Sequence, residues 1–104
     1  MSVAVTVLYF EECPNWRTAL ERVRAAARQA GVEVEVATVA VETLREAERL
    51  GFTGSPTIWL EGRDPFAQPE KVVALACRVC ATPEGLAGSP TVGQLADALT
   101  RHAV

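Results

Sequence analysis

Cys13, followed directly by Pro14, is the residue best placed to do chemistry in this chain. The apolar run Val3 to Phe10 precedes it and a helical pattern follows, so the thiol falls where a strand hands over to a helix. Proline suits a first helical turn, because the N–H it lacks has no intrahelical partner there. A sulfur at that point faces unpaired amides and the positive end of a helix dipole, which favours the thiolate. Glu11 and Glu12 oppose the effect by like-charge repulsion. Ser55-Pro56-Thr57 is a second candidate, opening another apolar segment, where a proline is otherwise a common turn marker.

Cys77-Arg78-Val79-Cys80 is the third. A Cys-x-x-Cys pair suits zinc or redox work, but a four-thiol zinc site needs a second pair and this sequence has one. If residues 72–80 form a strand, positions 77 and 80 face opposite ways and lie about 10 Å apart, too far to bond each other. A strand returning antiparallel toward the first helix carries Cys80, its last residue, back to Cys13. Cys77 then lies deeper in the sheet and behaves as core.

The elements that must position these residues can be read from periodicity. Residues 3–10 are apolar at nearly every position, as in a central strand. Trp16, Leu20, Val23, Ala27 and Ala30 mark one face of a helix, with Arg17, Glu21, Arg24 and Arg28 opposite and Gly31 to end it. Residues 32–39 alternate as a strand, and Glu42 to Leu50 fits a short helix closed by Gly51. Residues 56–61 and 72–80 follow as strands, separated by a turn at 61–65 and a join from Phe66 to Lys71. A turn-rich stretch, 81–89, leads to a last helix, where Thr91 and Gln94 form a capping box ahead of Val92, Leu95, Ala96 and Leu99. The remaining polar candidates read as structural: His102 as a surface residue in the last helical turn, Asp64 in a turn and Asp97 on a helix surface. Trp59 and Trp16 read as core or groove walls, with Trp16 one turn from the Cys13 thiol.

At 104 residues the chain is one domain, 1–104, and 49% hydrophobic with 22% charged residues is a globular composition. The net charge of -3, with Arg interleaved with Glu and Lys71 the single lysine, argues against a nucleic-acid partner. No apolar run reaches the length that spans a bilayer, so no membrane partner is expected. The first residues carry neither a basic flank nor a cleavage pattern, which predicts no secretory segment. Three cysteines, an odd count, suit a cytoplasmic location where thiols stay reduced unless a cycle uses them.

On Cys13-Pro14 at the head of the first helix, Pro56-Thr57 opening the next strand, and the hairpin after it, the chain resembles the thioredoxin superfamily. The resemblance implies a three-layer thioredoxin-like α/β fold, in the order β-α-β-α-β-β-α. It further implies a four-stranded mixed sheet with helices on both faces, and an active-site cysteine packed against a cis-proline. One departure stands out: in Cys13-Pro14-Asn15-Trp16 a tryptophan occupies the place of the family's second cysteine. A mixed disulfide on Cys13 must then be resolved by an outside thiol or by Cys80. The implied function is a thiol–disulfide oxidoreductase with Cys13 as nucleophile, Pro56 holding the incoming chain, and Cys80 coupled to Cys13. Its partners are protein or small-molecule thiols and disulfides, with no cofactor and no metal. Two other classes remain: a non-catalytic thioredoxin-like adaptor, and a soft-metal or mercury-handling protein similar to organomercurial lyases, using Cys13 and Cys80 as its pair.

Overall fold

Val3, Val5 and Val7 alternate with Ala4 and Thr6, so in an extended chain the valines share one face. The computed structural model describes residues 2–67, 73–77 and 80–103, and places these valines in β1 (Ser2–Tyr9), each at most 5% exposed. β1 is the centre of a three-stranded sheet. β2 (Glu33–Ala40) runs parallel on one side with Val36 beside Val5, and β3 (Thr57–Leu60) runs antiparallel on the other with Ile58 beside Val7. The parallel pair is joined by α1 (Asn15–Ala30), the kind of crossover that parallel neighbours need.

α1 buries Ala19, Val23, Ala26 and Ala27 in the cluster that holds the three valines, and α3 (Val92–Ala103) adds Leu95, Ala96, Ala98 and Leu99. The capping box forms as its residues predict. Thr91 N–H donates to Gln94 Oε1 at 2.9 Å, and Gln94 N–H donates to Thr91 Oγ1 at 3.1 Å. Arg22 ties α1 to the approach of α3, donating to Ser89 Oγ at 2.9 Å and the Pro90 carbonyl at 3.0 Å. The opposite sheet face is covered at one end. There α2 (Leu44–Leu50) supplies Ala47 to a second cluster with Leu8, Val41 and Phe52, while Ala4 near the other end of β1 is exposed.

The sheet expected to have four strands has three. Of the strand expected over 72–80, residues 72, 78 and 79 lie outside the described residues, as does most of the join before it. Residues 73–77 form no strand, and their one ladder contact is an isolated parallel bridge from Cys77 to Ser55. Cys80 instead opens β4 (Cys80–Thr82), which pairs with β5 (Gly85–Ala87) as a separate two-stranded sheet. The four-stranded mixed sheet is therefore corrected to a three-stranded mixed sheet plus a hairpin, still an α/β arrangement. The physical reason lies in the residues. Ala74 and Ala76 are weak strand formers, so Val73 and Leu75 do no more than pack half-buried against the second cluster. The hairpin occupies much of the stretch read as turns, closed by Thr82 Oγ1 donating to the Gly85 carbonyl at 2.6 Å.

Candidate functional site

α1 starts immediately after Pro14, with no side-chain cap and no acidic residue in its first turn. The orphan amides of that turn therefore lack the usual Ser, Asp or Thr acceptor. Cys13 lies one residue before the cap, its N–H donating to the Phe10 carbonyl at 2.9 Å, and it is 1% exposed. Glu11 and Glu12 are both exposed, where solvent and salt screen their repulsion of a buried sulfur.

The loop before β3 closes over this sulfur. Gly54 has φ +133°, a conformation that L side chains rarely adopt, and its carbonyl accepts from Thr57 Oγ1 at 2.6 Å. The Ser55-Pro56 peptide is cis, and residues 54–58 are all buried. Cys13 Sγ lies 3.6 Å from the Ser55 carbonyl oxygen, a contact in which the dithiol form has an S–H to donate. Cys13 and a cis Ser55-Pro56 thus meet, as the resemblance implies. The Ser55 hydroxyl is buried and has no hydrogen-bond partner among the described residues.

The sulfur that reaches Cys13 belongs to Cys77. The two form a disulfide across 64 residues of chain, with Cα atoms 5.7 Å apart, inside the range disulfides occupy. Backbone bonds deliver Cys77 there. Ala74 N–H donates to the Phe52 carbonyl at 3.3 Å, Ser55 N–H donates to the Ala76 carbonyl at 2.7 Å, and Cys77 bridges Ser55. The segment 73–77 is thus laid along the loop 52–55. Cys77 itself is exposed.

This overturns the expected coupling of Cys80 to Cys13. That expectation needed 72–80 to be one returning strand with Cys80 at its tip. Because the segment follows the 52–55 loop instead, the approach to Cys13 is made three residues earlier. Cys80 is buried at the start of β4, outside the disulfide. The pattern carried one usable warning, the alanine-rich run Ala74-Leu75-Ala76 just before Cys77, which is a poor strand sequence. Nothing in the spacing marked Ser55 as the owner of a buried, unpartnered hydroxyl.

The other candidates have structural places. Trp16 stacks on Tyr9 with ring centroids 4.2 Å apart, and the Arg17 guanidinium lies 5.2 Å from its ring centroid. Trp59 packs half-buried against the second cluster, and Asp64 accepts the Phe66 N–H at 2.8 Å. Asp97 is exposed on α3, and His102 is half-buried near its end. Among the described residues, no group of three or more His, Cys, Asp or Glu side chains is arranged to hold a metal ion. No helix among them is long and apolar enough to cross a membrane. A scan against protein-family models finds no match to this chain, and neither does a search of curated proteins. What the arrangement can do chemically is take up two electrons and two protons, opening Cys13–Cys77 to two thiols, and give them back.

Proposed function

We propose that the chain is a thiol–disulfide redox protein whose Cys13–Cys77 pair cycles between disulfide and dithiol. The observation that carries this is the disulfide between a buried cysteine at an uncapped helix start and an exposed cysteine 64 residues away. Thiolates are the reacting form in exchange, and both cysteines of the pair supply one when the disulfide is reduced. In one turnover the pair accepts two electrons from two partner thiols, which leave as a disulfide. The partners are protein or small-molecule thiols. A cycling pair suits the cytoplasm, where protein disulfides are transient and catalytic.

Kinship with the thioredoxin superfamily belongs to the same proposal. The strand order β2-β1-β3, the Cys13-Pro14 helix start and the cis Ser55-Pro56 bond support it. The three-stranded sheet and a second cysteine 64 residues away count against it.

Equilibration in glutathione buffers of graded potential tests the function. The pair is expected to titrate between about −270 and −120 mV, the span of cycling dithiol proteins. A pair that stays oxidised below about −300 mV is a structural staple, and that result overturns the redox function.

A further inference from the structure

The two cysteines of the disulfide are not equally exposed. Cys13 is 1% exposed and lies beneath the loop that carries Ser55, whereas Cys77 is exposed. Attack on a disulfide is in line with the S–S bond, and its rate depends on which sulfur the incoming thiolate can reach and on how good a leaving group the other one is. A thiolate attacking Cys13 must arrive from the side away from Cys77, which is protein interior. A thiolate attacking Cys77 approaches the exposed residue of the pair.

We propose that Cys77 is the sulfur that exchanges with the partner and that Cys13 is the buried leaving group. The assignment rests on the redox function above and reverses the expectation that Cys13 is the attacking nucleophile. With a thiol R–SH, the thiolate RS⁻ forms a bond to Cys77 Sγ as the Cys13–Cys77 bond breaks. The products are a Cys77–S–S–R mixed disulfide and a Cys13 thiolate. The R sulfur is oxidised to the disulfide level and Cys13 is reduced. A second R–SH, again as thiolate, attacks the R sulfur and releases R–S–S–R, leaving Cys77 as thiolate to take up a proton. Run backwards, the dithiol attacks a partner disulfide through Cys77, and Cys13 then expels the partner. The partner is carried on the 73–77 segment. Among the described residues, Ala74 N–H to the Phe52 carbonyl and Ser55 N–H to the Ala76 carbonyl tie that segment to the 52–55 loop. Cys77 is thus the catalytic residue that touches the partner, and Cys13 is the resolving one.

The test uses the oxidised full-length chain and reduced glutathione as probe. Samples are quenched with acid at early times, which protonates thiolates and freezes exchange, and mapped with an acid-active protease. At least tenfold more glutathione is expected on Cys77 than on Cys13. Equal labelling, or more on Cys13, overturns the assignment while leaving the redox function standing. A disulfide that glutathione cannot open at all, with no adduct on either cysteine, overturns both. A second measurement is independent of trapping. In the reduced native protein a neutral alkylating reagent is expected to modify Cys77 at least tenfold faster than Cys13, with the difference disappearing in urea. Equal native rates overturn the assignment.

Discussion

Ser55 buries a hydroxyl that has no partner among the described residues, in the residue whose carbonyl touches the Cys13 sulfur. A buried polar group left unsatisfied costs about 1–3 kcal/mol. Ser55→Ala removes that cost with little change of shape, so the oxidised protein is expected to gain roughly 1 kcal/mol in denaturant unfolding. A loss of stability instead means that the hydroxyl has a partner in solution. At this scale the sequence was half legible. Cys13 and Pro56 could be picked out because a Cys-Pro helix start and a proline opening a strand each have a local physical signature. Cys77 could not, because its role depends on where the backbone of 73–77 runs, and that is set by contacts with Phe52 and Ser55 far away in sequence.

α3 illustrates an element whose start is written locally. Thr91 and Gln94 exchange two backbone-to-side-chain bonds, and the sequence alone names both. Thr91→Ala is expected to cost about 1 kcal/mol, read as a lower denaturant midpoint at unchanged slope. An unchanged midpoint overturns the capping role. The strands β1 and β2 and the helices α1 and α2 were legible for the same reason, since each carries its own period and its own stop, as Gly31 and Gly51 do for the helices. The expected fourth strand was not. Its hydrophobic run is diluted by Ala74 and Ala76, and a short apolar run does not by itself say whether it joins a sheet or packs along a loop. The β4–β5 hairpin escaped because strands of three residues leave too little alternation to see.

Across the whole molecule the disulfide closes a 64-residue separation that spans α1, β2, α2 and β3. On the chain-entropy account a loop of that length restricts the unfolded chain enough to stabilise the fold by about 4 kcal/mol. Reduction is therefore expected to lower the unfolding free energy by up to about that amount, measured by urea titration with and without a reductant. No change on reduction means that the link is not formed in the folded protein. The sheet itself ends at β2, whose outer side pairs with no strand among the described residues. An open edge of that kind is a template on which other chains can add strands. Glu33 and Glu35 lie along it, both exposed, on the same face as exposed Ala37 and Val39. Two copies meeting edge to edge would bring these carboxylates toward each other, so the acidic pair acts as a gatekeeper against self-assembly. Replacing both with valine is expected to leave the fold in place and turn a clear solution into one that scatters light; a double variant that stays as dispersed as the parent at equal concentration removes the gatekeeping role from these two glutamates.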